Sequence, residues 1–149
     1  MKMLLITLLA LTAHAATAQL PADFPPVRTE VLGETAPGFI FLNVAQPHDD
    51  IGFYIMMLKN DGTPFFFKDL VTDYSSDFKM QPNGNLSYAQ FLNHYTFTGG
   101  GDAEHVVLGP DFEVVDTWWM KNGYTAESHD FVLLPNGHAL MISYHLEPR

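Results

Sequence analysis

The chain has 149 residues, enough for one domain or part of a larger one. Its 47% apolar content supports a packed core and excludes wholesale disorder, and its net charge of −10 opposes binding to a phosphate backbone. It contains no cysteine, which excludes disulfide staples, thiolate zinc sites and a cysteine nucleophile.

From the N-terminus, Lys2 is followed by an apolar run from Met3 to about Leu11, then by small residues ending in Ala16-Thr17-Ala18. This is the pattern of a secretory signal over residues 1–18, and the apolar run is too short to span the roughly 30 Å of a bilayer core. The chain is therefore expected to be exported, to a periplasm or the cell surface. No basic amphipathic stretch suggests attachment to a membrane. Residues 19–36 contain Pro21, Pro25 and Pro26 without periodicity and predict an extended lead-in. Apolar runs then alternate with turn signals. The expected strands are Gly38–Val44, Phe53–Leu58 and Pro64–Leu70 around Asp61-Gly62, and Phe78–Gln81 and Leu86–Phe91 around Pro82–Gly84. His105–Leu108 and Phe112–Trp119 flank Gly109–Asp111, and Phe131–Leu134 and Ala139–Tyr144 flank Pro135–Gly137. Tyr88–Tyr95 has spacing for two helical turns, although its aromatics suit a strand equally.

The two "PNG" turns share a mechanism. Proline presets φ for a type I turn, asparagine suits the next position, and glycine takes the left-handed residue that forms a bulge. Turn markers recur at Asp61, Asn83, Asp111 and Asn136, and the phrase Asp77-Phe78 recurs 53 residues later as Asp130-Phe131. The repeat is thus two hairpins, or four strands, in about 50 residues, the size of a β-propeller blade. Runs such as "FVLL" and "ALMI" are apolar on both faces, as expected for strands covered on both sides. The predicted fold is all-β, with about two antiparallel blades of an incomplete propeller over residues 37–149. A β-sandwich is the alternative. Propellers have roughly four to eight blades, so the chain is expected to be the N-terminal part of a longer protein or a truncated gene product, with a ring-completing homo-oligomer as a further possibility.

The seven histidines are the main chemical resource: His14, His48, His94, His105, His129, His138 and His145. None has HExxH spacing, and no compact carboxylate–histidine signature marks a metal site. His48–Asp50 is expected to be a solvated loop, His138 an exposed turn residue, and His94 and His105 residues near sheet ends. His129 differs because it precedes a strand predicted to be buried on both faces. If that strand is the innermost of its blade, its N-terminal end opens on the central channel. Thr98–Asp102 lacks the pattern of a phosphate loop. Trp118 and Trp119 should point to opposite faces, one into the core and one outward. No serine lies in a GxSxG elbow, and no spacing singles out a carboxylate pair.

Ala36–Val44 ("APGFIFLNV"), Tyr54–Leu70 ("YIMMLKNDGTPFFFKDL"), Asp77–Tyr88 ("DFKMQPNGNLSY") and Asn122–Tyr144 ("NGYTAESHDFVLLPNGHALMISY") resemble the bacterial, PAPS-independent arylsulfotransferases. The resemblance implies a six-bladed propeller, export, and transfer of a sulfuryl group from a phenolic sulfate ester to another phenol. It further implies a ping-pong route through a transiently sulfated histidine, supported by other histidines and an arginine, without a nucleotide cofactor. The His129-Asp130 pair resembles the family's first channel histidine, which is a supporting group and not the nucleophile. On this resemblance the sulfated histidine and its partner arginine belong to blades beyond residue 149, so residues 1–149 alone are expected to be inactive. The competing expectation is a non-catalytic, secreted propeller that serves as a binding or surface module.

Overall fold

The computed structural model describes residues 19–44, 50–71, 74–94 and 101–144. The signal-like segment at 1–18, with His14, lies outside them, as do His48 and His145. The described residues are all-β, with antiparallel sheets and no helix. None of their elements is a helix long and apolar enough to cross a membrane.

The first sheet is the meander β1 (Ile40–Asn43), β2 (Tyr54–Leu58) and β3 (Pro64–Asp69). The second is the meander β4 (Ser75–Met80), β5 (Leu86–His94), β6 (Gly101–Leu108) and β7 (Val114–Trp118). The ambiguous segment at Tyr88 is thus strand. A two-residue strand, β8 (Ala126–Glu127), pairs with the start of β6, where Asp102 lies opposite Glu127 and Ala103 opposite Ala126. The last element is the hairpin of β9 (Phe131–Leu133) and β10 (Ala139–Met141).

The four turn markers share one geometry. The side-chain oxygens of Asp61, Asn83, Asp111 and Asn136 each accept the N–H two residues on, from Thr63, Asn85, Glu113 and His138, at 2.9–3.3 Å. In each turn the next residue has positive φ: Gly62, Gly84, Phe112 and Gly137. Three are glycine, for which this conformation carries no side-chain penalty. Phe112 tolerates it because its ring is held elsewhere, stacked on Phe66 with centroids 4.4 Å apart. Each turn closes with a pair of backbone hydrogen bonds, such as Gly84 N to Gln81 O and Gln81 N to Asn85 O. A side chain that mimics a backbone acceptor fixes each hairpin's register without tertiary help.

Strand alternation then builds layers. Ile55, Met57, Leu70, Phe78, Leu86, Tyr88, Val106 and Leu108 form one buried cluster between the first and second sheets. On the opposite face of the second sheet, Val107 packs with Phe131 and Leu133 of β9, flanked by Trp118, Ala139 and Met141. The second sheet is therefore covered on both sides, which is why successive residues of β5 (Ser87, Tyr88, Ala89) and β6 (Val106, Val107, Leu108) are buried on both faces. The outer face of the first sheet is covered by the lead-in. Phe24 meets Tyr54 and Phe67 edge-on at 5.3 and 5.0 Å, and the Tyr54 hydroxyl donates to Asp23 at 2.8 Å. Burial first, and the Asp23 carboxylate second, push the Tyr54 phenol well above its usual range.

Side chains also join the first strands of successive sheets. Asn43 Oδ1 accepts the backbone N–H of Phe78 at 3.0 Å. Asp77 Oδ2 accepts that of Phe131, the residue 53 positions later, at 3.1 Å. Asp77 reaches across because a bulge between Ser76 and Lys79 gives it a φ of 54°.

Candidate functional site

His129 lies on the short connection between β8 and β9. Its side chain is 61% exposed, beside the 3% exposed carboxylate of Glu127. Glu127 Oε1 contacts His129 Nδ1, and Oε2 accepts the His129 backbone N–H at 2.8 Å. The Ser128 hydroxyl stands 3.4 Å from Oε1. Glu127 itself is fastened by its backbone, whose N–H donates to Ile142 O at 2.9 Å. The Ser76 hydroxyl donates to Ser128 O at 2.6 Å and so anchors the same connection to β4.

His105 sits on the other side of Glu127. Contrary to its expected place near a sheet end, it lies within β6, paired with both Ala89 and Trp118, and is fully buried. The difference arises because β6 begins at Gly101, before the apolar run, and because Phe131 stacks on the imidazole with centroids 4.6 Å apart and planes 10° apart. His105 Nε2 donates to the Glu127 carbonyl at 3.1 Å, which makes Nε2 the protonated nitrogen. Its Nδ1 is buried without a hydrogen-bond partner among the described residues. Burial outweighs the stabilising Glu127 carbonyl and lowers the pKa of His105 to about 4. At neutral pH this ring is an uncharged wall of the site.

Three further charges lie in β4 and just before β9. Lys79 Nζ bonds Asp77 Oδ2 at 2.9 Å and also contacts Asp130 Oδ1. Burial pulls the Lys79 ammonium down, but the two carboxylates outweigh it and hold its pKa above the usual value. Burial raises the pKa of Asp77 against the opposing effect of Lys79. The connection to β9 thus presents a carboxylate-backed imidazole at His129 and a cation at Lys79 offset by two anions. No three potential metal-ligating side chains cluster among the described residues.

Of the other histidines, His138 is exposed at the last turn, as its position after glycine suggests. Trp118 packs near Phe131 at 6.2 Å, whereas Trp119 is 54% exposed, so the two rings diverge as strand geometry requires. Sequence periodicity does not mark Glu127, although "AESH" places a carboxylate two residues before the histidine. Comparison of the chain with protein-family models, with curated proteins and with solved structures finds no match.

Proposed function

We propose that the chain is the first part of an exported β-propeller of the arylsulfotransferase kind, in which His129 faces the channel and supports sulfuryl transfer from a phenolic sulfate ester to a phenol. The observation that carries the reading is His129 itself. Its ring is open to solvent at the entrance to β9 while Nδ1 is held by a buried carboxylate. A histidine needed only to open a hairpin would not require a carboxylate desolvated behind it, an arrangement that costs free energy unless the pair has a use. The four-stranded meander β4–β7, packed between neighbouring sheets, and the capping of the Phe78 and Phe131 N–H groups, 53 residues apart, by side chains of the preceding sheet support the blade reading.

In this reading the nucleophilic histidine and its arginine are supplied outside residues 1–149. Attack of that imidazole on sulfur forms an N–S bond and breaks the ester S–O bond, and the phenolate departs with the electron pair. The acceptor phenol oxygen then attacks the same sulfur, forming the new ester S–O bond and breaking N–S, whose electron pair returns to the imidazole, while the phenol proton passes to His129. His129 acts beside the reacting sulfur as a hydrogen-bonding and proton-transfer group. The test uses the product of the intact gene with p-nitrophenyl sulfate as donor. Release of p-nitrophenol that accelerates when phenol is added supports the reading. No release, or a reading frame that closes after Arg149 without further four-stranded repeats, removes it for this chain.

A specific feature favours a second reading, a binding module without chemistry. Asp116, Thr117, Trp118, Trp119 and Lys121 line an open groove of about 290 Å³, and Lys121 stands 5.8 Å over the Trp119 ring. The exposed Trp119 indole beyond the end of β7 suits a flat ligand. Trp119 fluorescence quenched by phenols with unchanged affinity after His129→Ala would favour this reading over catalysis.

A further inference from the structure

We infer that Glu127 is the positioning residue of the site: its buried carboxylate fixes His129 as the Nδ1–H tautomer and turns Nε2 outward as the atom that meets a ligand. The inference rests on the functional reading of His129 and goes beyond it by naming the reactive atom and the residue that selects it.

The geometry is local and closed. The Glu127 carboxylate faces three donors, the His129 backbone N–H, the His129 ring and the Ser128 hydroxyl. A carboxylate so surrounded is an acceptor, so the hydrogen between it and the ring belongs to Nδ1. Among the described residues no cation competes for this carboxylate, because Lys79 is engaged by Asp77 and Asp130. Glu127 cannot swing away: β8 pairs it with Asp102, its N–H is bonded to Ile142 O, and its carbonyl is bonded to His105. A histidine ring tied at Nδ1 presents Nε2 at its far end, and this ring is 61% exposed. Free histidine side chains favour the Nε2–H form. Glu127 therefore converts a hydrogen-bond donor into an acceptor at the solvent-facing nitrogen.

The consequence concerns the kind of group His129 can serve. In the neutral ring, Nε2 offers a lone pair and no N–H. It suits the hydroxyl of an incoming phenol, whose proton moves to Nε2 as the phenol oxygen attacks. The proton then leaves Nε2 to solvent, and the ring returns to its Nδ1–H form. It does not suit donation to the sulfuryl oxygens. Glu127 thus biases His129 toward the acceptor half of the reaction. The adjacent His105 has the opposite tautomer, held by the carbonyl of the same Glu127, so one residue sets both rings.

Nitrogen NMR of the imidazoles tests this at pH 8 on the full chain. The Nδ1–H signature at His129 in the wild type is expected, and an Nε2–H signature overturns the inference regardless of any variant. In Glu127→Leu, which removes the acceptor, the ring should revert toward Nε2–H, and retention of the Nδ1–H form would also overturn it. Carbethoxylation by diethyl pyrocarbonate supplies a second readout, with exposed His138 as the internal reference. The His129:His138 rate ratio should fall several-fold in Glu127→Leu, whereas an unchanged ratio contradicts the positioning role. These readouts need no sulfuryl transfer. An Nδ1–H ring in a protein without transferase activity would leave Glu127's role standing and remove the proposed reaction.

Discussion

The hairpins β4–β5 and β9–β10 are written in nearly the same phrase and do different work. Both open with Asp-Phe, turn at Pro-Asn-Gly, and bury the phenylalanine. They diverge at what flanks the shared parts. Ser76, in β4, spends its hydroxyl on Ser128 O, whereas His129 at the matching position turns to solvent against Glu127. Asp77 caps the N–H of Phe131, whereas Asp130 reaches sideways to Lys79. Ser87 is buried and bonded to Gln81, whereas Leu140 at its counterpart is 60% exposed. The shared residues make a hairpin, and the differences show which side chains a hairpin does not need. His129 and its carboxylate remain when the common architecture is removed.

The sharpest test of the shared part is a pair of truncations. Phe78→Ala and Phe131→Ala should each cost about 3–5 kcal/mol in denaturant unfolding, because each deletes a buried ring from a packed cluster. A cost below about 1 kcal/mol for either would break the equivalence of the two hairpins.

Acidity separates them next. His105, stacked on the second hairpin's Phe131, has a folded pKa of about 4 against an ordinary value of 6.5. The unfolded chain therefore binds more protons between these values, so stability is full above about pH 6.5 and declines as pH falls toward 4. The loss should approach about 3 kcal/mol, and His105→Gln should flatten this part of the profile. An unchanged profile in the variant would show that other groups cause the acid sensitivity.

The two aspartates give a smaller contrast. Asp77→Ala leaves the Phe131 N–H without its acceptor and should cost about 1–3 kcal/mol. Asp130→Ala removes a half-exposed ion-pair partner and should change stability by less than about 0.5 kcal/mol. Equal effects would mean that the two positions are not distinguished by the fold. Smallest of all, Asn83→Ala and Asn136→Ala should each cost about 0.5–1 kcal/mol through loss of the same turn hydrogen bond. A large difference between them would show that one turn relies on tertiary contacts.

The turns were legible in the sequence because their determinants are local. Asp61, Asn83, Asp111 and Asn136 each bond two residues ahead, within one short window. Phe112 is less transparent, since a phenylalanine with φ of 64° is supported by Phe65 and Phe66, 46 or more residues away in sequence. β8 is not legible in the sequence because two residues carry no periodicity and become a strand only by pairing with Asp102 and Ala103. His105 was misplaced for a related reason: its burial comes from Phe131, which no window around His105 contains. His129 stands out in the sequence by its place before a strand apolar on both faces, but its partner does not, because the chemistry of Glu127 depends on being desolvated by the fold.

The central claim is that His129 does chemistry and is not only the first residue of a hairpin. The most direct measurement compares wild type and His129→Ala, in the product of the intact gene, for sulfuryl transfer from p-nitrophenyl sulfate to phenol, with unfolding midpoints recorded in parallel. The account predicts a fall of about 10²-fold or more in the transfer rate with the midpoint nearly unchanged. An unchanged rate in a folded variant would contradict it.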